Sequence, residues 1–288
     1  MIRVADRPQG VPPQEPQPVE AERIDQQAAD RSAPSGLIIY KAIVKEGNEE
    51  LARPSSALFW SGLAAGLSMG ASLITEALLR AYLLPGHWQP LVAKFGYCVG
   101  FLIVVLGRQQ LFTENTITPV LPVLQTPQPR MLVNLLRLWA VVLVSNLLGG
   151  LAIAWAVTRT TAFEPLVIQQ FAAIGAETMG QGFLSTMIRA VFAGWLIALM
   201  VWMMPFAEAA RVWIIVVITY VVGLGHMSHA IAGTINAFAA AWLGVATWGG
   251  VLLDFLLPTL IGNILGGVTL VAMLNHGQVV AGSKPGTL

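Results

Sequence analysis

Charge is what this sequence has least of. Asp, Glu, Lys and Arg make up 11% of its 288 residues, against about 25% in an ordinary soluble domain. Sixteen Lys and Arg stand against 15 Asp and Glu, so the strongly basic surface expected of a nucleic-acid binder is missing. The single cysteine, Cys98, leaves no intrachain disulfide framework and no multi-cysteine metal cage. Neither His-Glu-x-x-His nor Gly-x-Ser-x-Gly occurs in the apolar segments, so the motifs of zinc peptidases and serine hydrolases are absent. No catalytic residue, metal or other cofactor is expected. Apolar residues are abundant instead, at 56% with a mean hydropathy of +0.69. That balance excludes disorder for most of the chain and points to a multi-pass membrane protein, with the lipid bilayer as its surroundings.

The scarce charges are unevenly placed. Residues 1–56 hold seven of the 16 basic and nine of the 15 acidic residues. Residues 1–35, rich in Pro and Gln, read as a disordered tail without the apolar core of a signal peptide. Residues 36–53 read as an amphipathic pre-membrane helix, or else a polar linker. Residues 54–275 read as the transmembrane domain and 276–288 as a C-terminal tail.

Four segments are long and apolar enough to cross a bilayer: 57–83, 132–157, 183–204 and 249–274. Two more, 91–124 and 211–243, are interrupted, the first around Gly107–Thr116 and the second around Gly223–His229. The expected fold is an all-α integral membrane protein of six spans with the second and fifth broken. Both termini then lie on one side. Eleven Lys and Arg fall on that side against three on the other, which places both ends in the cytoplasm.

The chain also repeats itself. Asn146-Leu147-Leu148-Gly149-Gly150 recurs as Asn263-Ile264-Leu265-Gly266-Gly267, 117 residues later. The same offset carries the first break onto the second and the first span onto the fourth. Two halves of three spans each are expected, the second inverted relative to the first, as in many transporters. Backbone freed from a helix cannot face lipid, so two facing breaks mark a central permeation site. The glycines of the repeat are read as close-packing residues.

The polar residues left in the apolar segments are the candidates for function. His229 lies in the second break, where a histidine either serves transport or ties down broken backbone. His226 precedes it by three, but a two-histidine site lacks further ligands. Thr113 stands in the first break and either bonds the histidine or a passing anion, or caps the following half-helix. Arg108 and Glu114 share that break and read as a structural pair. Arg189, near the start of the fourth span, either draws anions to a pore mouth or anchors the helix at the interface. Glu76, Glu208 and Asp254 read as boundary or packing residues.

Taken in order, these residues resemble the formate/nitrite transporters, a bacterial family of anion channels. Leu111-Phe112-Thr113 is similar to the family's Leu-Phe-Thr loop, and His229-Ala230-Ile231-Ala232 to its His-Ser-Ile-Ala stretch. Arg189 through Met203 resembles the fourth helix, where the family has lysine at the first position. Gly262 through Gly267 resembles the sixth. The likeness covers about Leu37 to Leu274. It implies an aquaporin-like fold, a homopentamer in the bacterial inner membrane, and one pore per protomer for a small monovalent anion, often with a proton. It implies that His229 is the central histidine opposite Thr113, and that Leu111 and Phe112 help form an apolar constriction. Four positions depart from the family. Gly233 and Gly194 replace asparagines, Val222 replaces an aromatic at a constriction, and Arg189 keeps the charge of lysine without its ability to lose a proton. Two other readings stay open: a channel for neutral solutes, although paired Asn-Pro-Ala motifs are absent, and a sensory or structural protein that has lost transport.

Overall fold

In the computed structural model, residues 35–282 are described. Most of the tail expected over 1–35 lies outside them, as does the end of the expected C-terminal tail. The described residues form ten helices. The first, α1 (Gly36–Ala52), buries Tyr40, Ile43, Val44, Gly47 and Leu51. Their spacing of three and four keeps one apolar face on the bundle. Arg53-Pro54 ends it, because proline disfavours helical geometry in the residue before it. Pro54 is also the N-cap of α2 (Ser55–Tyr82).

Next come α3 (Gln89–Leu106), the short α4 (Val120–Gln125), α5 (Pro129–Arg159) and α6 (Pro165–Met179). The second half holds α7 (Phe183–Phe206), α8 (Arg211–Leu224), α9 (Ala232–Trp242) and α10 (Trp248–Gly282). Thus α10 continues past residue 275, where a tail was expected. Five of the ten, α2, α3, α5, α7 and α10, are long and apolar enough to cross a membrane. The pair α8 and α9 falls short because seven residues, 225–231, interrupt it.

Helix α2 packs along α5, and α7 along α10; α3 lies against α8, and α9 against α5 and α6. Small residues set the closest approaches. A Cβ on Gly66 of α2 would strike the backbone carbonyl of Asn146 in α5, and one on Gly194 of α7 would strike that of Asn263 in α10. Gly194 therefore lacks room for the asparagine that the resemblance puts there. Its smallness closes a helix contact, as small residues do between membrane helices.

The two breaks share their hydrogen bonds in detail. Gly107, Arg108 and Gln109 donate to the carbonyls of Ile103, Val105 and Val104, and Gly225, His226 and Met227 donate to those of Val221, Gly223 and Val222. Arg108 and His226 both adopt positive φ, 50° and 49°, an uncommon region for residues other than glycine. These equivalents lie 118 residues apart, not the 117 of the Asn-x-x-Gly-Gly repeat. For the first and fourth long helices the offset is 128, from Gly62 to Ala190, whose carbonyls accept from Asn146 and Asn263. A single offset therefore does not describe the chain. The loop 83–88 between α2 and α3 is two residues longer than the loop 207–210 between α7 and α8, and the rest of the change lies in the lengths of the helices themselves.

Candidate functional site

Each break is held by one asparagine. Asn146 accepts from the Phe112 N–H at 2.9 Å and donates to the carbonyls of Gly62 (2.8 Å) and Gln110 (2.9 Å). Asn263 accepts from the Ala230 N–H at 2.8 Å and donates to the carbonyls of Ala190 (2.7 Å) and Ser228 (3.0 Å). Both asparagines are fully buried. Each primary amide satisfies two backbone groups of its break that leaving the helix exposed, and adds a bond to a carbonyl within α2 or α7. Sequence reasoning read the repeat for its glycines and missed the asparagines. The signal was present, since the repeated motif begins with Asn in both copies.

Between the breaks, Thr113 Oγ1 lies 2.8 Å from His229 Nε2, and both residues are fully buried. His229 Nδ1 accepts from the N–H groups of Ile231 and Ala232, both at 3.2 Å. It therefore caps the first turn of α9, as an N-cap side chain does. A nitrogen that accepts twice carries no proton, so neutral His229 has its proton on Nε2 and donates to Thr113. One nitrogen of this histidine thus ties down the broken backbone, and the other bonds Thr113. Phe101 of α3 meets the imidazole edge-on at 4.9 Å between ring centres. Leu111 is fully buried beside this pair in the chain, and the Phe112 ring packs edge-on against Trp139 of α5 at 5.9 Å.

One cavity reaches this centre, and a second lies at the first break. The first, about 50 Å³, is lined by Tyr97, Val222, His226, His229 and Phe255, with Lys94, Glu177 and Arg189 also among its lining residues. A charge network surrounds it. Glu76 accepts from Lys94 at 2.6 Å and from Arg80 at 2.7 Å. Arg80 also grips Glu177 through both carboxylate oxygens, at 2.7 and 2.8 Å. Burial alone would raise the Glu177 carboxyl, but the bonded Arg80 guanidinium outweighs it and holds the group below its ordinary value. These two carboxylates and two cations balance one another. Arg189 is different: among the described residues it pairs with no carboxylate, and its one polar contact is a 3.5 Å approach to the His226 carbonyl. Glu76 is no boundary residue; it is the buried hub of this network. Lys94, Arg80 and Glu177 were not singled out from sequence, because their pairing spans helices far apart in the chain.

The second cavity, about 570 Å³, lies beside α1 and is lined by Glu46, Glu50, Arg53, Arg108, Glu114 and Arg211 among others. The expected pairing of Arg108 with Glu114 is not formed. Positive φ turns Arg108 outward, 3.7 Å from Glu46, while Glu114 Oε1 is buried with no hydrogen-bond partner. Glu50 of α1 accepts from Gln110 Nε2 at 3.0 Å, and Gln110 Oε1 in turn accepts from Asn115 at 3.0 Å. This chain ties the pre-membrane helix to the first break.

Burial pushes the Glu50 carboxyl from its ordinary 4.5 up to about 7; the Gln110 bond opposes this, the Glu46 charge adds to it, and Arg53 and Arg108 oppose it. The folded state therefore holds the proton more tightly than the unfolded one. The resulting stabilisation is fully present below pH 4.5 and is lost as pH rises through about 7. Amide exchange over residues 36–52, corrected for the intrinsic rate, should accordingly show stronger protection at pH 5.5 than at pH 8. Glu50→Gln should remove most of that difference. Equal pH dependence in the variant would show that another group controls docking.

Five apolar membrane-length helices around a buried polar centre are the make-up of a membrane transport protein. The chain belongs to the formate/nitrite transporter family, whose profile matches residues 38–277. It is 40% identical over 252 residues to inner membrane protein YfdC of Escherichia coli K12, across 87% of this chain and 81% of that one. Two solved structures share its fold. An FNT family ion channel matches with a TM-score of 0.71 at 18% identity, covering 84% of this chain and 98% of the other. A pentameric formate channel with formate bound matches with a TM-score of 0.63 at 20% identity, covering 76% and 95%.

Proposed function

We propose that this chain forms a channel for small monovalent anions such as formate or nitrite, with passage either passive or linked to a proton. The observation that carries the reading is the Thr113–His229 pair, buried where the two breaks meet, with His229 lining one cavity and a second cavity lined by residues of the first break. Family membership and the formate-bound pentameric relative support the same solute class. In this reading α3 with α4, and α8 with α9, each count as one interrupted span. That gives six spans in two inverted halves, assembled as a homopentamer in a bacterial inner membrane. The excess of Lys and Arg places both termini, and the cavity beside α1, in the cytoplasm.

Arg189 then stands at the outer mouth with its charge uncompensated and concentrates anions there. The apolar passage around Leu111, Phe112 and Val222 excludes hydrated cations, since narrow dewetted segments gate ions. At the centre, an anion takes over the His229 Nε2–H bond from Thr113, or accepts from the Thr113 hydroxyl, and so replaces part of its lost hydration. Proteoliposomes loaded with formate or nitrite test the proposal directly. The purified protein should speed anion efflux well above empty liposomes, and Arg189→Ala should slow it by about tenfold at low ionic strength, less at high salt. Rapid osmotic swelling in glycerol without anion flux would favour a neutral-solute channel. No flux of any kind would favour a sensory or structural role.

A further inference from the structure

Gly233 follows His229 by four residues, in the first turn of α9, and departs from the family's asparagine. The structure shows what occupies the space. A Cβ on Gly233 would run into the ring of Phe255, which is 2% exposed. Phe255 comes from α10, within the π-wound stretch Val251–Leu256. A π turn takes more residues than an α turn and so changes the direction in which side chains point; such insertions are frequent at functional sites. Here the wider turn brings an aromatic ring against the backbone of α9 beside the histidine.

Across the same cavity, the Tyr97 ring lies on Gly223, where an added Cβ would sit 3.0 Å from the ring. Tyr97, Val222 and Phe255 thus share the lining of the small cavity that leads to His229. Val222 is a short side chain where an aromatic is usual, which removes bulk from one wall. Phe255 supplies bulk from another helix. The cavity's volume of about 50 Å³ suits a few waters or one triatomic anion.

We propose that Phe255, seated over Gly233, is the size-setting residue of the outer approach, admitting anions of formate or nitrite size and rejecting carboxylates that carry an alkyl group. The inference rests on the channel reading above. It adds Phe255 to the residues that decide what reaches the histidine. A packing role alone would make Phe255 variants less stable without changing which solute is preferred.

The test measures formate and propionate efflux from the same proteoliposomes, with glycerol and water permeability alongside, for the unaltered protein, Phe255→Ala and Phe255→Leu. The expected result is a propionate-to-formate ratio raised about tenfold in Phe255→Ala, the scale on which a pocket discriminates small alkyl differences, and a smaller rise in Phe255→Leu. Phe255→Leu keeps an apolar side chain and provides the reading should the alanine variant not fold. An unchanged ratio in folded variants overturns the proposal. If the unaltered protein carries no anion, the anion-channel reading fails separately. The glycerol-to-water ratio then decides: a rise in the variants upholds Phe255 as the size limit, and no rise, or no permeation at all, overturns it.

Discussion

Asn146→Leu and Asn263→Leu are each expected to prevent accumulation of folded protein. Leucine matches asparagine in size but offers no hydrogen bonds. In the first case the Phe112 N–H and the Gln110 carbonyl lose their partner; in the second, the Ala230 N–H and the Ser228 carbonyl lose theirs, while the carbonyls of Gly62 and Ala190 keep their places within α2 and α7. Each buried group left unsatisfied costs about 1–3 kcal/mol. Two such groups amount to a large share of a typical stability of about 5–15 kcal/mol. Because the two asparagines make the same three kinds of bond, the two variants should fail to a similar degree. Yield in the membrane fraction and thermal unfolding in detergent provide the measurement. A variant that melts within a few degrees of the parent would show that its break is braced by something else.

His229→Ala is expected to lower anion flux by about tenfold or more, because hydrogen bonds to a charged group are worth roughly 1.5–3 kcal/mol each. It also removes the acceptor for the Ile231 and Ala232 N–H groups, so alanine alone mixes two effects. His229→Asn separates them. Asparagine is a favoured N-cap residue and keeps an acceptor for the first turn of α9, while its shorter side chain no longer reaches Thr113 as the imidazole does. It should restore stability toward the parent and leave flux low. Thr113→Val should reduce flux on its own, yet add little to His229→Ala, since contacting partners that act as a unit are not additive. Flux in His229→Asn equal to that of the parent would confine this histidine to capping.

Much of the architecture was legible in the sequence because bilayer thickness and backbone hydrogen bonding leave few options. The four continuous apolar segments fall on α2, α5, α7 and α10, and the interruptions around Gly107 and Gly223 fall where α3 and α8 end. Glycine next to polar residues in an apolar run is a readable sign. The meeting of Thr113 and His229 was legible as one of two alternatives, because both lie in breaks. The equivalence of the halves was readable only as a repeated motif. Its shifts in offset depend on helix and loop lengths that a motif does not sense.

The Glu76 ion network and the seat of Phe255 were not legible in advance, and the repeated asparagines were visible without their partners. Each joins residues far apart in the chain, such as Lys94 with Glu76 on a neighbouring helix or Phe255 against Gly233. Nothing local records such a pairing. The low charge content by itself determined that the chain is a membrane protein and that its few interior polar groups matter, since apolar surroundings make each one costly. Which of those groups are satisfied was decided only by tertiary structure. Helix packing balances Arg80 and Lys94 against carboxylates, turns Arg108 away from Glu114, and leaves Arg189 as the cation of the first cavity without a carboxylate among the described residues. The physical reason is distance. Electrostatic and hydrogen-bond energies fall off within a few ångströms, so the same residues are neutralised or functional according to which neighbours the fold brings into reach.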